Sequence, residues 1–120
     1  MVHRTYAQLV EEARSRVKEL TVEQLRDMQR RGPTPALVDI REDREWNLGH
    51  LPGAVHMSRG TLESKIDGAV PRERPVVLYC ANGNRSVLAA ESLGRMGYGN
   101  VASLAGGVRA WVDSGGALEG

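Results

Sequence analysis

The sequence predicts an α/β domain with a central, mostly parallel sheet and helices on both faces. Three observations predict it. Short apolar runs, of strand length, recur along the chain: Ala36–Ile40, Ala54–Met57, Pro75–Tyr79 and Asn100–Leu104. Segments with helical spacing of apolar residues lie between them. Gly and Pro punctuate the joins, so strands and helices alternate rather than cluster. In such sheets, ligands sit at the carboxyl ends of strands, where loops lead into helices.

Each element has its own local reason. Over residues 4–19, Tyr6, Leu9, Val10, Ala13 and Val17 make one stripe, with charges elsewhere. This predicts an amphipathic helix ahead of the alternating pattern. The first 20 residues are therefore expected to be a helical extension, and 21–118 the domain proper. Thr21-Val22-Glu23-Gln24 has the form of a capping box opening a second helix, which Gly32 and Pro33 end. After the first strand, Arg41 to Leu48 reads as a short helical turn closed by Gly49. Pro52-Gly53 turns the chain into the second strand, and Thr61 to Ile66 suits a short helix. A longer helix is expected over Arg85–Met96, with Gly97 ending it. Gly106-Gly107 breaks the chain before a last helix carrying Val108 and Trp111, ended by Gly115-Gly116.

The bulk numbers remove several function classes. The chain has 120 residues, enough for one domain and one modest core. Net charge is +1, which supplies no electrostatic case for nucleic acid or a membrane surface. One cysteine allows no internal disulfide, and His3, His50 and His56 show no metal-ligand spacing. Neither a metal nor an organic cofactor is expected. Residues 1–10 lack the apolar core of a signal peptide, and no run approaches the roughly 18 apolar residues of a membrane span. A reducing, cytoplasmic location follows as the expectation, and a free thiol suits it.

That thiol is Cys80. It follows the apolar run Val76-Val77-Leu78-Tyr79 and precedes Ala81-Asn82-Gly83-Asn84-Arg85-Ser86, where a helix begins. If this loop curls so that its N–H groups point inward, it makes an anion cradle backed by a helix N-terminus. Gly83 supplies the backbone freedom for the curl, and Ala81, Asn82 and Asn84 are too small to fill it. Such a cradle favours the thiolate, and an inward Arg85 would add to that effect. The competing expectation is a buried structural cysteine, a common state for an isolated Cys at a strand end. The glycine, the small residues, the cation and the helix start together favour the reactive reading. Four residues separate Cys80 from Arg85. Tyrosine-phosphatase-like loops carry one more, a bowl sized for phosphate. The shorter loop better suits a single sulfur atom carried on the cysteine.

Three motifs then carry a family resemblance over roughly residues 20–116. The first is Leu37-Val38-Asp39-Ile40-Arg41 with Glu45-Trp46 and Gly49-His50-Leu51-Pro52-Gly53-Ala54. The second is Cys80 through Ser86. The third is Leu104-Ala105-Gly106-Gly107-Val108-Arg109-Ala110-Trp111. In this order, the chain resembles the rhodanese family, specifically its single-domain sulfurtransferases. The resemblance implies a rhodanese-like fold and a Cys80 that carries sulfur as a persulfide. It implies a sulfane-sulfur donor such as thiosulfate, an acceptor such as cyanide or a thiol, and covalent ping-pong transfer. Ala81, Asn82, Gly83, Asn84, Arg85 and Ser86 would bind substrate. Some thiosulfate-using members place a cation directly after the cysteine, where this chain has Ala81. The alternative within the family is a persulfide carrier or partner-binding module with little turnover. A sulfur-relay protein is a candidate partner.

Other residues are weighed against plainer roles. Arg41 and Arg59 follow strands and are candidates to line the pocket. Asp39 more simply braces a loop by hydrogen bonds. His50 could form a Cys–His dyad, but satisfying backbone groups is the more economical role. Trp46 and Trp111 are expected to pack.

Overall fold

The structure is a computed structural model that describes residues 2–120. Eleven helices and strands follow one another. They are α1 (Tyr6–Arg14), β1 (Lys18–Leu20), α2 (Val22–Arg31), β2 (Ala36–Asp39), α3 (Asp43–Leu48) and β3 (Val55–His56). Then come α4 (Leu62–Ala69), β4 (Val76–Tyr79), α5 (Asn84–Arg95), β5 (Val101–Leu104) and α6 (Gly107–Asp113). A single 3-10 turn, Arg59–Thr61, leads into α4. The five strands form one parallel sheet in the order β1-β5-β4-β2-β3.

β4 lies at the centre, with β2 and β5 on either side. All four of its residues, Val76 to Tyr79, are buried. Successive side chains leave the sheet on opposite faces. Val76, Leu78 and Cys80 therefore join Val38, Ile40, Leu62, Ile66 and Leu93 on the face covered by α4 and α5. Val77 and Tyr79 join Leu25, Leu37, Leu104 and Trp111 on the face covered by α2 and α6. Burial on both sides is why these strands read as unbroken apolar runs. The α/β class expected from the alternation holds.

The Thr21 capping box forms as expected. Thr21 Oγ1 accepts from the Gln24 N–H at 3.1 Å, and Gln24 Oε1 accepts from the Thr21 N–H at 2.8 Å. One expectation fails. The helix read over 4–19 ends at Arg14, and Lys18–Leu20 is instead an edge strand paired with β5. α1 docks on α5 by burying Val10 and Ala13 against Val87. This segment therefore contributes both a helix and a strand to the layers around β5 and α5.

Candidate active site

Cys80 stands one residue beyond β4, at the carboxyl end of the central strand. Two glycines shape the loop that follows. Gly83 adopts φ +94°, in the left-handed region, and serves as the N-cap of α5. A Cβ there would come within 3.0 Å of the Gly106 nitrogen. Gly107 adopts φ +57°, and a Cβ on it would lie 2.3 Å from the Cys80 carbonyl oxygen. Only glycine meets both demands at once. The close approach lets the first turn of α6 hold the loop. The Val108 N–H donates to the Cys80 carbonyl at 2.9 Å, and the Arg109 N–H to the Ala81 carbonyl at 3.1 Å.

The loop curls around the sulfur. The Gly83 N–H donates to Cys80 Sγ at 3.2 Å, and Ser86 Oγ stands 3.5 Å from it. Ser86 Oγ is hydrogen-bonded in turn to Ser103 Oγ of β5 at 2.7 Å. Cys80, Ser86 and Ser103 are all fully buried. Asn84 turns its N–H away, to the Oδ1 of the exposed Asn82 at 3.1 Å. The sulfur thus accepts from one backbone N–H and donates to one hydroxyl oxygen, fewer backbone donors than the curl predicts. Asn84 Oδ1 accepts from Arg14 of α1 at 3.0 Å, and Arg14 also pairs with Glu19 of β1.

Arg85 lies beside the loop and is held by Glu45 of α3, with Nη–Oε distances of 3.3 and 3.4 Å. Burial works against the charge of this guanidinium. The hydrogen bonds and charge of Glu45, with a smaller contribution from Cys80, outweigh burial and raise the Arg85 pKa. Burial likewise opposes the Glu45 charge. The Arg85 hydrogen bond, the Glu42 backbone and the charges of Arg85 and Arg41 overcome it and hold the carboxyl below its ordinary range.

The remaining expectations divide. Arg41 is 7% exposed, and its guanidinium is taken up by neighbouring groups. Its Nε and Nη2 bind both Asp39 oxygens at 2.8–3.1 Å, and Nη2 also donates to the Gly49 carbonyl at 2.7 Å. Asp39 accepts from the Arg41 N–H as well, so the pair braces the loop that leads to α3. Arg59 is committed to Glu63 at 2.8 Å, a carboxylate that also accepts from Ser92 of α5. His50 Nδ1 stands 3.2 Å from the Trp46 carbonyl, and its ring stacks on Trp46 at 3.4 Å. It makes no dyad with Cys80. Trp111 packs in the core and donates from Nε1 to the Ala117 carbonyl at 2.8 Å. A groove of about 420 Å³ lies elsewhere, lined by Thr34, Pro35, Val55, Ala69 and Arg74 among others at the amino ends of β2 and β4.

Glu45 and Ser103 are partners of the loop that the motif reading did not assign. Ser103 had a signal in the sequence, a lone hydroxyl inside the apolar run Val101-Ala102-Ser103-Leu104.

The family model of the rhodanese-like domain matches residues 21–114, with Cys80 to Ser86 inside the match. The chain belongs to the rhodanese-like domain family. Among curated relatives of this rhodanese-like chain is a Mycobacterium tuberculosis protein named probable adenylyltransferase/sulfurtransferase MoeZ, 34% identical over 94 residues. That match takes in 78% of this chain but only 24% of the relative, so the chain spans about a quarter of that protein's length. Among solved structures, a protein of unknown function from Rhodopseudomonas palustris, described as a possible tyrosine phosphatase, superposes with a TM-score of 0.87 at 36% identity. The superposition covers 99% of this chain and 97% of that one. The polysulfide-sulfur transferase homodimer of Wolinella succinogenes superposes with a TM-score of 0.79 at 26% identity, covering 92% and 84%. No helix of the rhodanese-like chain is long and apolar enough to cross a membrane among the described residues.

Proposed function

We propose that this rhodanese-like chain is a sulfurtransferase that works through a persulfide on Cys80. The observation that carries the reading is the loop itself. A lone cysteine at the end of the central strand accepts the Gly83 N–H and is hydrogen-bonded to the Ser86 hydroxyl oxygen, with four residues between it and Arg85. In the first half-reaction, the Cys80 thiolate attacks the outer sulfur of thiosulfate. An S–S bond forms, the bond from that sulfur to the SO3 group breaks, and its electron pair leaves on sulfite. In the second, cyanide or a thiolate attacks the terminal persulfide sulfur and the Cys80 thiolate leaves. Charge balances in both steps, and neither needs a proton donor, since every leaving group is a stable anion near neutral pH.

Within this reading the groups of the loop divide the work. Gly83 and Ser86 hold the sulfur anion, and Arg85 faces the donor's negative charge. Ala81 brings no cation next to Cys80, so Arg85 carries most of the attraction for an anionic donor. Small donors and acceptors are the partners of this reading, with a sulfur-relay protein as a further candidate in a cytoplasmic setting.

The test is thiosulfate:cyanide transfer by the wild type and by Cys80→Ser. The wild type should turn over and the variant should show none. Turnover retained in Cys80→Ser would overturn the mechanism. The relative described as a possible tyrosine phosphatase makes aryl phosphate the control substrate. Hydrolysis of it without sulfur transfer would contradict the reading.

A further inference from the structure

Ser103 is the polar exception on β5. Its neighbours Ala102 and Leu104 face α2 and α6, in the core that contains Trp111. Strand alternation sends Ser103 to the opposite face, beside its register partner Leu78 and toward Cys80 and α5. A buried hydroxyl is costly unless it is hydrogen-bonded. The one side-chain partner that the structure gives Ser103 Oγ among the described residues is Ser86 Oγ, at 2.7 Å. Ser86 Oγ is in turn 3.5 Å from Cys80 Sγ.

This makes a buried chain of two links, sulfur to Ser86 and Ser86 to Ser103. Each hydroxyl brings one hydrogen. When the sulfur carries its own hydrogen, three hydrogens compete for two links and one donor goes unused. When the sulfur is an anion, two hydrogens fill two links, and only one order does so. Ser103 then donates to Ser86, and Ser86 donates to the sulfur.

We propose that Ser103 is a positioning residue that acts through Ser86 to aim a hydroxyl hydrogen at the anionic sulfur of Cys80. The persulfide part of this assignment rests on the function proposed above; the thiolate part rests on the geometry alone. Without Ser103, the Ser86 hydroxyl is free to turn away from the sulfur. The hydrogen bond to sulfur also loses the strengthening that a chained donor gives in a low-dielectric interior.

The experiment uses the full chain, with iodoacetamide as a probe of Cys80, the only thiol. Alkylation rates at neutral pH are measured for wild type, Ser86→Ala, Ser103→Ala, Ser103→Thr and the double alanine variant. Single-turnover sulfur loading from thiosulfate is measured on the same set. Ser103→Ala should slow alkylation roughly three- to tenfold. It should have no further effect in the Ser86→Ala background, because it acts through that hydroxyl. Ser103→Thr, which keeps the hydroxyl, should recover most of the rate. Alkylation unchanged in Ser103→Ala would overturn the proposal, and so would an equal slowing in both backgrounds. The Ala variants decide the matter even if the larger Thr does not fit. If the wild type fails to load sulfur while the alkylation cycle behaves as expected, the sulfurtransferase reading falls and the role of Ser103 stands.

Discussion

Around Cys80, side chains of the loop are held by partners from neighbouring elements. Arg85 is the cation proposed to meet the donor, and Glu45 fixes its orientation at 3.3–3.4 Å. An anionic donor that meets Arg85 gains a charge-assisted contact of about 1.5–3 kcal/mol. Arg85→Ala should therefore lower kcat/KM for thiosulfate by roughly 10- to 100-fold, read from steady-state kinetics at fixed cyanide. Unchanged donor kinetics would remove Arg85 from the site. Glu45 adds a pH signature. Its folded-state pKa lies below its unfolded value of about 4.3. A lowered carboxylate stabilises the fold above the unfolded pKa, and this contribution is lost as pH falls through the folded value. The Tm difference between wild type and Glu45→Gln should thus be largest above about pH 5 and shrink below about pH 4. A difference that stays constant across that range would show that the Glu45 charge contributes nothing.

At the scale of elements, the cysteine loop is clamped rather than hung from one strand. The first turn of α6 donates to the carbonyls of Cys80 and Ala81, and α1 reaches Asn84 through Arg14. Gly107 permits the first of these approaches. Gly107→Ala would place a methyl 2.3 Å from the Cys80 carbonyl oxygen at a positive φ. It should cost at least about 2 kcal/mol and sulfur transfer with it, read from urea unfolding and the transfer assay. A variant with wild-type stability and turnover would show that α6 does not clamp the loop. The link from α1 is less visible in sequence. Val17 continues the apolar stripe of α1, so helical periodicity runs on past Arg14 into what is an edge strand. Of the three residues of that strand only Leu20 is buried. Pairing with β5 over three residues is a tertiary preference that no local pattern announces.

At the scale of the molecule, the parallel sheet makes most of the candidate site legible in the sequence. β4 is central and buried on both faces, so its apolar run stands out, and the residue after it sits at the strand end where such sheets bind ligands. The Cys80–Arg85 spacing and the glycines at 83, 106 and 107 were readable for the same local reason, since tight curls demand them. Partners brought by topology were not. Ser103 is 17 residues from Ser86 in sequence, and Glu45 is 40 from Arg85. Arg41 follows a strand on the same edge, and only the fold shows that its guanidinium is spent on Asp39 and Gly49. The proposed mechanism turns on one sulfur atom. Intact-protein mass spectrometry after thiosulfate incubation measures it directly. A gain of about 32 Da on wild type, mapped to Cys80, absent in Cys80→Ser and removed by cyanide, is the predicted result. An unmodified wild-type mass under those conditions, or a gain that cyanide leaves in place, would contradict the persulfide mechanism.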